Sequence, residues 1–279
     1  MSYKTIAVYL AQPDSVSGVM DVALPLAESF GAHLIGLHIS SRVPVMGTIG
    51  AQVPPEIIDQ YIQIMRKDAK SIEASFAKAV KGAKIQSEWR GHDENSAGAD
   101  QLHSITEQTR CADLVIMGQS DSEQRVGEFA ADVILGSGRP VLTVPGTGKF
   151  GELSGQIVVG WDGSREAARA VFDALPLLKK AKGVSIVTVR EGGEVKDTLG
   201  TGGADMALTL SRHGIKVEAV SLNKNDRSVG DTLLEYTSSQ DGDLLVMGCY
   251  SHSRLRERLF GGATQHLLRN MIAPVLMSH

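Results

Sequence analysis

The feature that most constrains this chain is an internal repeat. ADLVIMG at 112–118 returns as GDLLVMG at 242–248, and RPVLTVP at 139–145 returns as APVLMSH at 273–279. VALPL at 22–26 is matched by DALPL at 173–177, and at the same offset IAVYL at 6–10 is matched by IVVGW at 157–161. A single apolar string recurs easily by chance, but four strings in the same order point to duplication. Each copy takes roughly half of the 279 residues, so the repeated unit is a whole domain and not one turn of a solenoid.

Inside each copy, short β-branched apolar runs alternate with amphipathic stretches of helix length. That alternation defines an α/β chain whose parallel sheets are covered on both faces. Strands are expected near 3–10, 32–39, 83–89, 112–117 and 140–144, with helices near 16–30, 55–81, 97–110 and 127–137. In the second copy strands are expected near 156–161, 184–189, 215–221, 243–247 and 274–277, with helices near 164–181, 204–213, 229–240 and 262–272. The second helix shortens in the second copy, where Gly192, Gly193, Gly200, Gly202 and Gly203 loosen the segment before it. PGTGKFGELSG at 145–155 reads as a linker. The expectation is two tandem doubly wound five-stranded domains, 1–145 and 156–279.

Composition narrows the class. A net charge of −4 argues against a general nucleic-acid surface or a basic membrane-binding face. No apolar run reaches the ~18 residues of a membrane span, and MSYKTIAVYL lacks the long apolar core of a signal peptide. Cys111 and Cys249 form no metal or redox spacing, and so few thiols fit a reducing compartment. A cytoplasmic location is therefore expected. The histidines make no HExxH set, and His92-Asp93-Glu94 reads as a solvated turn after the third strand. No Gly-x-Ser-x-Gly elbow or Walker lysine occurs, and Gly200, Gly202 and Gly203 follow no strand directly, unlike a dinucleotide fingerprint. No catalytic nucleophile–base set is legible, and no metal site.

An open parallel sheet takes ligands outside the carboxyl ends of its strands, where strand order reverses. Residues after the first and fourth strands of each copy are therefore the candidates. In the second copy the fourth strand ends in Met247-Gly248-Cys249-Tyr250-Ser251, followed by HSRLRERLF at 252–260, and Gly261-Gly262-Ala263-Thr264 then opens a helix. Glycines allow a ligand close to the backbone, and the helix's unpaired first amides suit a phosphate. Arg254, Arg256 and Arg258 would add positive charge. The first strand ends in Trp161-Asp162-Gly163-Ser164. Asp162 can accept from a ribose hydroxyl or an adenine amine, or Asp162 or Ser164 can simply cap the helix that follows.

A first strand ending in Asp-Gly-Ser, and a fourth running into a glycine loop with a nine-residue bridge, resemble the ATP-binding branch of the universal stress protein family. The resemblance implies that Asp162 contacts the nucleotide, that Val189 lends backbone to the adenine side, and that Gly248 to Thr264 wraps the phosphates. Two positions depart from the pattern, Ser251 at the second glycine and Gly262 where Ser or Thr is usual. In the first copy Ala11 aligns with Asp162, Asp121 stands at the second glycine position, and only 122–126 bridge it to Gly127, with Glu128 after it. Acidic groups there repel a polyphosphate, so the first copy is expected to have lost the site.

The resemblance implies a stress-response regulator that binds an adenine nucleotide, ATP with Mg2+, in its second domain, with no or very slow hydrolysis. Its partners would be the nucleotide and a second tandem chain in a homodimer, and the two copies would pack through their fifth strands. The alternative is a tandem interaction protein of the same fold that binds no nucleotide. An adenylating enzyme would need a further catalytic domain or a pyrophosphate loop, and neither is evident.

Overall fold

In a computed structural model of the chain, the structure describes residues 2–40, 54–93, 101–119, 128–190, 202–249 and 263–279. The first half runs β1 (Thr5–Tyr9), a 3-10 turn (Pro13–Ser15), α1 (Val16–Phe30), β2 (His33–Ser40), α2 (Pro55–Val80), β3 (Ser87–Asp93), α3 (Gln101–Thr109), β4 (Leu114–Gly118), α4 (Glu128–Ser137) and β5 (Val141–Val144). The second runs β6 (Gln156–Gly160), α5 (Arg165–Asp173), α6 (Leu175–Leu178), β7 (Gly183–Arg190), α7 (Gly203–Arg212), β8 (Val217–Asn223), α8 (Val229–Ser239), β9 (Gly242–Gly248), α9 (Ala263–Asn270) and β10 (Val275–Ser278).

All ten strands belong to one sheet, ordered β3-β2-β1-β4-β5-β10-β9-β6-β7-β8. Each half is a parallel doubly wound array that repeats the other's strand order. The halves meet where β5 and β10 pair antiparallel, with Leu142 opposite Leu276. The duplicated RPVLTVP and APVLMSH strings are thus the seam itself. Because that pair is antiparallel, the carboxyl ends of the two halves' strands lie at opposite ends of the sheet.

The apolar strand runs are buried on both faces, as a parallel sheet requires. One cluster gathers Val19, Ala23, Ile72 and Phe76 with Ala170, Leu177 and Leu210 over one face. A second gathers Ile105, Val133 and Ile134 with Leu233, Leu267 and Leu268 over the other. Polar ties cross between the halves. The buried Tyr3 hydroxyl donates to the Asp173 carbonyl at 2.6 Å, and burial, with Asp173 and Asp113 nearby, raises its pKa well above the ordinary phenol value. The Lys180 ammonium donates to the Ser29 carbonyl at 2.5 Å while lying over the Phe30 ring. Gln119 donates to the carbonyls of Leu268 and Arg269 at 2.8 and 3.0 Å, at the last turn of α9.

Three sequence expectations need correction. The third strand lies at Ser87–Asp93, four residues later than its expected start of 83. It is an edge strand of mostly polar residues, SEWRGHD, so the apolar signal of Ala83 and Ile85 pulled the expectation early. His92 and Asp93 consequently belong to β3, paired with Ile39 and Ser40, and not to a turn. The helix expected over 164–181 is two helices, α5 and α6, broken before Pro176, which sits at the start of the second. Proline has no amide to donate and its ring crowds the preceding turn.

Candidate functional site

In the second half, β6 and β9 are neighbours, and their carboxyl ends bring Asp162 and Gly248 to the amino end of α5. Gly163 adopts φ 75°, which favours glycine, and turns the chain from β6 into α5. Ser164 caps the helix, its Oγ accepting from the Ala167 amide at 3.1 Å. The exposed Asp162 carboxylate uses Oδ1 twice, accepting from the Ser164 amide at 2.9 Å and from its hydroxyl at 2.5 Å. Asp162 therefore holds the cap in place, which is the bland of its two expected roles.

Gly248 packs against the same helix start. A Cβ there would stand 2.5 Å from the Ala167 nitrogen and 2.7 Å from the Glu166 carbonyl carbon, closer than atoms can approach. Glycine is thus required at 248 for helix–strand contact, whatever else it does. Beside it the side chain of Glu166 is buried and bonded to Arg165. Burial pushes its carboxyl up, but the Arg165 hydrogen bond, its own backbone amide and the charges of Arg165 and His279 together hold it below the ordinary value. His279 is anchored by Nδ1 donating to the Cys249 carbonyl at 2.8 Å.

Of the other expected residues, Val189 lies in β7 opposite Leu222, and Met247 lies in β9 opposite Met277. Both side chains are partly buried in the second cluster. Ala263 begins α9 and Thr264 is buried in its first turn. Ser251, Arg254, Arg256, Arg258, Gly261 and Gly262 lie outside the described residues, as do Asp121 and Gly127 in the first half. The structure therefore brings Asp162 and Gly248 together at the start of α5.

One pair at this end of the sheet was missed in the sequence. His266 Nε2 of α9 lies 2.6 Å from Asp231 Oδ1 of α8, and Asp231 also accepts from the Ser228 hydroxyl at 2.6 Å. Ser228 and then His266 hold the Asp231 carboxyl below its ordinary value. The signal was slight: Ser228 and Asp231 have the spacing of a helix cap, and nothing in sequence ties them to His266. Among the described residues no group of three His, Cys, Asp or Glu side chains is placed to hold a metal ion. Among them, too, no helix is long and apolar enough to cross a membrane.

The strand order defines a tandem α/β protein of two doubly wound, Rossmann-like halves. Residues 154–279 match the model of the universal stress protein family. The second half is therefore a universal stress protein domain, and the first repeats its strand order. The chain is 22% identical over 272 residues to a universal stress protein of Synechocystis sp., covering 90% of this chain and 91% of that one. A universal stress protein from Archaeoglobus fulgidus superposes with a TM-score of 0.73 at 16% identity, over 98% of this chain and 95% of that one. A putative universal stress protein from Pseudomonas aeruginosa superposes with a TM-score of 0.60 at 16% identity, over 99% and 93%. At these identities the superpositions establish the tandem fold alone.

Proposed function

We propose that the second half binds one adenine nucleotide, ATP, at the carboxyl ends of β6 and β9, and that the chain works as a nucleotide-responsive regulator. The observation that carries this reading is the convergence of Asp162 and Gly248 on the first turn of α5. Among the described residues both bonds that Asp162 accepts fall on Oδ1, and Oδ2 is the oxygen for a ribose hydroxyl or an adenine amine. The end of β7 at Val189 supplies extended backbone beside it. Ala263 and Thr264 open α9, whose first amides suit a phosphate, and the arginines of 252–260 precede them in sequence. Mg2+ would enter with the nucleotide and not on a protein ligand set. No nucleophile with its base is part of this reading, so turnover would be slow or absent. In the first half Ala11 stands in place of Asp162, which limits binding to one nucleotide per chain.

A second reading, a tandem interaction protein without nucleotide, is favoured by one specific observation. The cap fully explains Asp162, and contact with α5 fully explains Gly248. Titration calorimetry with ATP and Mg2+ separates the two. The nucleotide reading expects one site per chain, lost in Asp162→Ala while the folded fraction is unchanged. No heat from the wild-type chain, or equal binding by Asp162→Ala, would leave the interaction protein standing.

A further inference from the structure

The carboxyl ends of β2 and β3, in the half that lacks the aspartate, line a half-open cavity of 260 Å3 beneath the middle of α2. It lies at the opposite end of the sheet from Asp162. Trp89 of β3 forms a wall of it, with Met65 and Ala69 of α2. Gly36 makes that wall possible, because a Cβ there would stand 2.7 Å from both the Phe76 and Trp89 rings. The two rings pack at 5.3 Å between centroids.

The polar lining is asymmetric. His38 is only 6% exposed, and its Nδ1 lies 2.7 Å from the Leu10 carbonyl oxygen. A carbonyl can only accept, so Nδ1 carries a proton, and the neutral ring offers Nε2 as an acceptor. Burial favours that neutral ring, against the opposing pull of the Leu10 carbonyl and Asp68. Nε2 faces the Ser40 hydroxyl at 3.4 Å, the long limit of a hydrogen bond. At the α2 side the lining carries Arg66 and Lys70, with Glu73 its one carboxylate among the described residues. A pocket with an aromatic wall, a buried acceptor and an excess of cations selects its ligand by chemistry. At ~30 Å3 per water the space matches one ring with a short substituent and not a nucleotide.

We propose that this cavity binds a small aromatic acid. The ring lies against Trp89, a ring hydroxyl donates to His38 Nε2, and the carboxylate meets Lys70 and Arg66. This site is independent of the nucleotide reading. The probe is 4-hydroxyphenylacetate, titrated into the full-length chain while the emission of Trp89 is followed in a Trp161→Phe background. Saturable quenching is expected. Removing the hydroxyl (phenylacetate) or the carboxylate (p-cresol) should each weaken binding about tenfold, the value of one hydrogen bond or one partly buried charge contact. Lys70→Gln, at an exposed position, should weaken 4-hydroxyphenylacetate but not p-cresol. Ala69→Leu, which fills the cavity, should abolish both signals while circular dichroism stays unchanged. Saturating ATP should alter nothing. Absence of saturable quenching up to 10 mM, indifference to both variants, or displacement by ATP would each overturn the proposal.

Discussion

The two halves share a fold but differ most at one crossover, the helix after the second strand. Equivalent positions are fixed by matching backbone bonds: Leu10 donates to the Leu37 carbonyl at 2.9 Å, and Trp161 donates to the Val187 carbonyl at 2.9 Å. His38 thus corresponds to Thr188, and Gly36 to Ile186. In the second half α7 begins directly on the strand, where a Cβ on Gly203 would stand 3.1 Å from Thr188 Oγ1 and 3.2 Å from Ile186 Cγ2. In the first half α2 has 26 residues against 10 in α7, so at 1.5 Å per residue it runs about 24 Å further. A small residue at 36, the His38 acceptor and the longer helix together leave the cavity. A duplicated scaffold can therefore keep its sheet and place different chemistry at corresponding strand ends, aspartate and cap in one copy, histidine and pocket in the other.

The strongest way to break this comparison is at the glycines that end the fourth strands. Gly248→Ala drives a Cβ into the backbone of α5, whereas the same change at Gly118 meets side chains, Val19 Cγ2 at 3.2 Å and Ser15 Cβ at 3.9 Å. Overpacking against backbone that cannot yield should cost Gly248→Ala about 3 kcal/mol, and Gly118→Ala under about 1 kcal/mol. Urea denaturation measures both. Equal losses would mean that the two halves hold their first helices alike. Next in size is the seam between the halves. Tyr3→Phe removes the buried hydroxyl from the Asp173 carbonyl and should cost about 1–2 kcal/mol, seen as a lower thermal midpoint. An unchanged midpoint would deny that this bond ties the halves.

The helix caps sharpen the comparison further. Ser164 caps α5 with a side-chain bond to the Ala167 amide, but Ser15, which precedes α1, makes no such bond. Ser164→Ala should therefore cost about 1 kcal/mol, and Ser15→Ala a few tenths. The same denaturation series reads both. A larger effect at Ser15 would reverse the argument that the second copy alone relies on its Asp-Gly-Ser turn.

Much of this was legible in the residues. Apolar runs gave nine of the ten strands close to their places, and α1 falls on its expected 16–30 because apolar spacing ends cleanly at Gly31, which takes the left-handed conformation. The pairing of β5 with β10 was expected from the family resemblance, and not from the repeat alone. β3 was displaced because an edge strand need not be apolar, and a run such as SEWRGHD carries little periodic signal. Asp162 and Gly248 were identifiable, but not that they meet at one helix turn, since their separation in sequence says nothing of packing. The cavity was hidden for the same reason. Its signal was present in Gly36-x-His38-x-Ser40, three small or polar residues on one face of an otherwise apolar strand. A lone histidine in such a run reads as core until the overhang of α2 is known.

The smallest expected effect, absent at neutral pH, concerns His38 against Thr188. Burial lowers the His38 pKa below its ordinary value of 6.5, partly offset by the Leu10 carbonyl and Asp68. Between 6.5 and that lower value the unfolded chain binds a proton at this residue that the folded chain does not. Stability therefore falls as pH drops below 6.5, reaches its full loss below the folded value, and is untouched above 6.5. The slope from one such group cannot exceed about 1.4 kcal/mol per pH unit. Other groups contribute in acid, notably Asp231, whose lowered pKa makes its stabilising effect vanish only at still lower pH. The second half supplies the control, since Thr188 occupies the same register without a titrating group. His38→Thr should remove the part of the acid slope that begins near pH 6.5 and leave the lower part unchanged, as read from denaturation midpoints between pH 7.5 and 4. If the variant keeps the wild-type slope just below pH 6.5, His38 is not held neutral by burial, and the acceptor at the base of the first-half cavity is lost with it.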